Sequence, residues 1–230
     1  MATRKPRSAR RNQVLSQERI IETAIELLDA GGEAAMTTRA LTERLSTGSG
    51  AIYYRVGSRD ELLDTVTEAL VTAALAADSV TASSSPEDEI RTVALALFDA
   101  IAEHPWLASR LTQQVVRKPF GPVTVGIFER IGRQVGALGV PRASWFDAAS
   151  TLVHYILGAV SQNTRIEGDT PDGSHTRETF LDATAVAWQQ LDAEDYPFMH
   201  AVVSQMQAHD DREQFLNGIA VFVDGLSRLG

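Results

Sequence analysis

Apolar residues recur at helical spacing along almost the whole chain, and no stretch alternates for long enough to predict a strand. The first amphipathic run, SQERIIETAIELLDAGG (16–32), closes on two glycines. Behind Thr37, a residue able to cap a helix start, Ala40, Leu41 and Leu45 recur at helical spacing, while Thr38, Arg39, Thr42 and Glu43 stay on the wet side. This run stops at Ser46-Thr47-Gly48-Ser49-Gly50, where glycines and hydroxyl residues supply a turn and a cap for the next helix. A helix over about 49–55 is too short to stand alone and has only Ile52 and Val56 to anchor it inward. Its other side, with Ser49, Gly50, Ala51, Tyr53, Tyr54 and Arg55, is left to meet something else. Ser58-Arg59-Asp60-Glu61 then has the Ser-x-x-Glu spacing of a capping box and predicts a new helix start.

Leu62, Leu63, Val66, Leu70 and Val71 carry that helix onward as a link to the rest of the chain, up to a loop over 79–85. Ser85-Pro86-Glu87-Asp88 opens another helix, with Pro at the first helical position and acids in the first turn, and His104-Pro105 breaks it. Further helices are predicted over 106–116, 123–138, 143–165, 177–191, 198–207 and 211–229, with a polar loop over 167–176. The 143–165 helix is apolar on more than one side (Phe146, Leu152, Val153, Ile156, Leu157, Val160), so it needs more than one neighbour. The predicted fold class is all-α.

Two short helices around a tight turn, followed by a capped third, form the layout of a helix-turn-helix DNA reader. Small residues on the second helix let it sit deep in a groove, and nearby hydroxyl and guanidinium groups reach phosphates. Arg59 falls in the first turn of its helix, where the dipole disfavours a cation, and this predicts an external anion as its partner.

Charge supports the same layout once it is resolved along the chain. The formal net charge of -9 argues against a nucleic-acid partner. Residues 1–60, however, hold ten Lys and Arg against seven Asp and Glu, net +3, and the remaining 170 residues hold eleven against twenty-three, net -12. Much of the excess lies in Arg4, Lys5, Arg7, Arg10 and Arg11, in a segment with no helical apolar period that is expected to be disordered alone. Such an arm either lies along DNA or serves as a solubilising tail.

Composition narrows the remaining classes. With 230 residues and 44% hydrophobic content the chain can bury a sizeable core. No apolar run is long enough for a membrane helix and none follows the basic start as in a signal peptide, so a soluble cytoplasmic protein is expected. The absence of Cys excludes disulfides, thiol catalysis and thiolate zinc sites. His154 with Tyr155, or His104 with Glu103, are the pairs to offer as acid-base groups. Neither belongs to a nucleophile-base-orienter set, and an enzyme is not expected.

Residues 16–63 resemble the DNA-binding domain of the tetracycline-repressor (TetR) family of bacterial transcriptional regulators. The resemblance rests on the first helix, on Met36-Thr37-Thr38-Arg39, on Gly50-Ala51-Ile52-Tyr53-Tyr54-Arg55-Val56 and on Ser58-Arg59-Asp60-Glu61-Leu62. The chain departs from the family pattern at Thr47, Gly48, Arg55 and Val56, which bears on the bases read rather than on the mode of binding. The resemblance implies that Thr38, Arg39, Ser49, Gly50, Ala51, Tyr53, Tyr54, Arg55 and Arg59 meet operator DNA. Glu103-His104-Pro105-Trp106-Leu107, STLVHYILGAV (150–160) and the 215–229 ending resemble, more loosely, the regulatory domain of the tetracycline repressors. The implied organisation is a basic arm (1–15), a three-helix DNA-binding domain (16–62) and a helical ligand-binding and dimerisation domain (63–230). The 143–165 and final helices would pack against those of a second copy, or else fill a monomer core. A small-molecule effector would enter among the helices near Phe98, Phe128, Phe146, Ser150 and His154, although aromatics at such spacing are also ordinary core. In the tetracycline-binding repressors a His and a Glu hold the drug's magnesium ion. Here Arg117 or its neighbours stand in place of the His and Gln162 near the Glu, so neither a metal nor any other cofactor is expected. The alternatives are a dimeric small-molecule-binding module that does not read DNA and, more remotely, an all-helical enzyme.

Overall fold

The computed structural model describes residues 15–77, 85–163 and 177–229, and these are helical throughout, with no strand among them. The basic arm up to residue 14, the loop over 79–84 and the polar loop over 167–176 lie outside the described residues. The chain divides into two compact units, one up to Val66 and one from Thr67.

The first unit holds α1 (Gln17–Ala35), α2 (Thr38–Leu45), α3 (Ser49–Val56) and the start of α4 (Arg59–Ala77). Ser16 opens α1 by accepting a hydrogen bond from the Arg19 amide at 3.2 Å. The helix kinks at its glycine pair instead of ending there, because Gly32 takes φ +62 and a last turn follows to Ala35. Thr37 caps α2, accepting from the Ala40 amide at 3.1 Å. Ile20, Leu28, Met36, Leu41, Ile52, Leu62, Leu63 and Val66 are buried almost completely and form one small core. Through Ile52 and Val56 that core holds α3 by one side only.

The capping box is present in both directions. The Ser58 amide donates to Glu61 Oε2 at 2.6 Å, and the Glu61 amide donates to Ser58 Oγ at 3.2 Å. Gly57, between α3 and this box, has φ +77.

The second unit continues with α5 (Pro86–Glu103), α6 (Leu107–Arg117), α7 (Pro122–Ala137), a 3-10 turn (Arg142–Ser144) and α8 (Trp145–Asn163). After these come α9 (Arg177–Gln189), α10 (Pro197–Gln207) and α11 (Asp211–Ser227). Helix α8 packs against α5, α6, α7 and α11, as its several apolar faces require. Leu152, Val153, Ile156 and Val160 supply its buried stripe. Helices α9 and α10 pack on each other as a hairpin. Tyr155 locks α8 to α11: its hydroxyl donates to the Phe215 carbonyl at 3.1 Å, and a side chain on Gly218 would fall inside the tyrosine ring. Burial raises the pKa of that hydroxyl, which keeps it a donor.

Candidate functional site

In α3 the outward side is small and polar. Ser49, Gly50 and Ala51 are exposed in the first turn, and Tyr54, 92% exposed, and Arg55 follow on the same open surface. Arg55 has no partner among the described residues. A Cβ built on Gly50 meets nothing within 4 Å. Packing within the unit therefore does not require glycine there. Gly48 begins α3 without a side-chain cap, and only its carbonyl serves the first turn, accepting from the Ala51 amide at 3.1 Å.

Thr38 and Tyr53 come together. Their hydroxyls are 2.8 Å apart, which links the first turn of α2 to the middle of α3 and fixes the phenol. Arg39 is exposed, with its Nε donating to Glu43 Oε1 at 2.8 Å across one helical turn. An exposed pair of this kind contributes little and exchanges readily for a phosphate. Arg44 pairs with Glu26 of α1 at 3.1 Å and so belongs to the frame of the unit.

Arg59 has partners inside the unit. Its Nε donates to the Met36 carbonyl at 3.2 Å and Nη2 to the Glu33 carbonyl at 2.6 Å, with the Glu33 carboxylate 4.0 Å away. The end of α1 leaves carbonyls without helical partners, and the guanidinium satisfies them. The cation that the start of α4 does not want is thus held by an internal anion equivalent, the negative end of another helix. Arg59→Met is expected to lower the stability of the first unit by about 1–3 kcal/mol, because two part-buried carbonyls lose charge-assisted bonds. Chemical denaturation checks this, and an unchanged midpoint would return Arg59 to the surface role.

The five residues expected around an effector fall on α5, α7 and α8. Phe98 packs on Phe215 with ring centroids 5.0 Å apart and the planes tilted by 31°, and lies under the Arg212 guanidinium, itself paired with Asp99, so it is part of the α5–α11 contact. Phe128 is half-buried on α7. Phe146 is 74% exposed in the first turn of α8, ahead of the buried stripe, and does not form an interior wall. His154 is exposed on the rim of two open grooves. One, of about 700 Å³, runs between α6 and α8 along Ala108, Thr112, Val116 and Leu157. The other, of about 500 Å³, runs between α8 and α11 along Tyr155, Gly158, Gly218 and Val221. Ser150 is buried with no hydrogen-bond partner for its Oγ among the described residues.

Two features have no counterpart in the sequence pattern. Gln114, buried on α6, has an Oε1 with no partner among the described residues. Arg130 of α7 donates to the Leu75 carbonyl in the last turn of α4 and to Glu89 of α5, with Nη2 to Oε1 at 2.5 Å and Nε to the same atom at 3.2 Å. Beside this clamp lies a groove of about 640 Å³ lined by Val71, Leu75, Val123 and Gly126. The i, i+4 arithmetic that finds surface pairs cannot find the clamp, because its partners are 41 and 55 residues apart. Among the described residues no group of His, Asp and Glu has the arrangement of a metal site, and no helix is long and apolar enough to cross a membrane.

Residues 84–229 match the family model of the tetracyclin repressor-like C-terminal domain, and residues 20–66 match that of the bacterial regulatory proteins of the tetR family. The solved structure of a TetR transcriptional regulator from Streptomyces coelicolor is 51% identical, with a TM-score of 0.83 over 94% of this chain and 99% of that one. ActR from the same organism, solved in complex with actinorhodin, shares the fold at 24% identity and a TM-score of 0.72, over 93% of this chain and 96% of that one. A curated HTH-type transcriptional regulator of Saccharopolyspora erythraea is 27% identical over 158 residues. The match covers 69% of this chain and 65% of that regulator, just under two thirds of its length.

Proposed function

Because the chain belongs to the tetR family of bacterial regulatory proteins, we propose that it is a cytoplasmic transcriptional repressor that holds a palindromic operator as a homodimer and releases it when a small molecule binds the second unit. The observation that carries the proposal is the outward side of α3: three small residues, an exposed Tyr54 and an exposed Arg55 on a helix anchored from behind by Ile52 and Val56. Small residues admit the helix to the major groove, and the arginine and the hydroxyls reach base edges and phosphates. Thr38 and Tyr53, already joined, and Arg39 meet the backbone beside it.

A dimer is supported by the groove between α8 and α11, where Val221 is 71% exposed and Tyr155 half-buried. A second copy placed on a two-fold axis covers both grooves at once and sets the half-site spacing. The effector this unit suits is mostly apolar with a few polar groups, a reading supported by two buried polar atoms without a partner among the described residues, the acceptor Gln114 Oε1 and the Ser150 hydroxyl, which both donates and accepts. Effector and DNA then oppose each other by linkage.

A gel shift against the DNA upstream of its own gene, titrated with salt, tests the proposal. A discrete, salt-sensitive complex is expected, weakened about 10–100-fold by Tyr53→Ala or Arg55→Ala. Binding no tighter than to random DNA would overturn it.

A further inference from the structure

The second unit carries two exposed aromatic patches of opposite charge. The first is the tip between α6 and α7, where Phe120 is 94% exposed and Val116 76%, flanked by exposed Arg117 and Lys118. This tip is held in shape: the Lys118 carbonyl accepts from the Gly121 amide at 2.9 Å and from Thr124 Oγ1 at 3.0 Å, and prolines stand on both sides of Phe120. A phenyl ring kept outside on a preformed turn is the character of an interface anchor, because little entropy remains to be lost on docking.

The second patch is the turn between α9 and α10. Tyr196 is 50% exposed and Phe198 71%, and Glu194 and Asp195 are exposed just before them. This turn is also preformed, with Asp192 Oδ1 accepting from the Glu194 amide at 2.8 Å and the Asp195 amide at 3.2 Å. Both patches are exposed within the chain that carries them.

We propose that the α6–α7 tip of one copy docks on the α9–α10 turn of a second copy, with Phe120 against Phe198 and Tyr196, and Arg117 and Lys118 against Glu194 and Asp195. The occupant is a second copy because each copy brings both halves. The basic tip stands out on a stretch, residues 61–230, whose net charge is -12, and the acidic aromatic turn complements it. About a two-fold axis the contact is made twice and closes, so it ends in a dimer and not a filament. The inference rests on the homodimer reading above and adds to it a contact away from the α8–α11 groove.

The chain has no cysteine, so cross-links can be placed one at a time. Full-length Phe120→Cys and Phe198→Cys, mixed in equal amounts and oxidised in air, are expected to form a covalent heterodimer about tenfold or more faster than Tyr54→Cys mixed with Phe198→Cys. In a second, independent arm, Arg117→Glu with Lys118→Glu weakens self-association, and adding Glu194→Lys with Asp195→Lys restores it. Light scattering on the unmodified protein separates the outcomes. A dimer in which the 120–198 pair links no faster than the control, or in which the charge swap restores nothing, overturns this contact and leaves the dimer. A monomer at every concentration overturns both.

Discussion

Gly50→Leu is expected to leave the first unit as stable as before, or slightly more so, and to abolish operator binding. In the first turn of α3 an added side chain meets no neighbour within 4 Å, so packing has no objection. Glycine in a helix costs about 0.5–1 kcal/mol relative to alanine, which the substitution recovers in part. Toward DNA the balance reverses. In the binding mode proposed above, a four-carbon side chain would hold the α3 backbone away from the base edges, and the helix would back out of the groove, with the loss of the Tyr54 and Arg55 contacts as well. The expected loss is roughly 100-fold or more, about 2.7 kcal/mol. Thermal denaturation and fluorescence anisotropy on the same sample check both halves. Wild-type affinity would show that the surface of α3 is not the one that meets DNA, and a lowered melting point would show that Gly50 serves the fold.

Gly57→Ala should do the opposite and damage the fold itself. At φ +77 and ψ -125 the backbone is in a region that side chains rarely adopt, and a Cβ there would collide with Glu61 Oε2. That oxygen accepts from the Ser58 amide and closes the capping box of α4. The substitution therefore imposes backbone strain of about 1–3 kcal/mol and costs roughly 1 kcal/mol more through the disturbed cap. Urea denaturation followed by circular dichroism is expected to give an earlier transition, together with weaker DNA binding. A midpoint equal to wild type would mean that neighbouring turns absorb the change.

The two glycines mark how far the sequence is legible. Local chemistry is: Thr37, Ser58 and Glu61 announce their helices by residue type and spacing, and Ile52 and Val56 announce the buried side of α3 by periodicity. Gly50 and Gly57 look alike in sequence, and only the surrounding space and the backbone angle tell the one that packing leaves open from the one that the turn requires. The internal partners of Arg59 are not legible, because the dipole of its own helix says nothing of the end of α1, 23 and 26 residues earlier, whose carbonyls it meets. In the second unit the helices are plain, but the side chains sharing a cavity are not. Periodicity says which side of a helix faces inward and is silent on which neighbour it meets, so the packing of Phe98 on Phe215 is not legible in the sequence.

The anchoring of α3 by two residues also bears on how such a protein changes over generations. Ile52 and Val56 carry the obligations of folding, and Ser49, Gly50, Ala51, Tyr54 and Arg55 carry none that the surrounding structure enforces. Mutations at the five open positions are nearly neutral for stability, since surface substitutions usually stay within about 0.5 kcal/mol. A duplicated copy can drift through these positions toward another operator without first passing through an unfolded ancestor. On the proposed reading, the same looseness leaves those five residues to selection on DNA binding, with no help from the core.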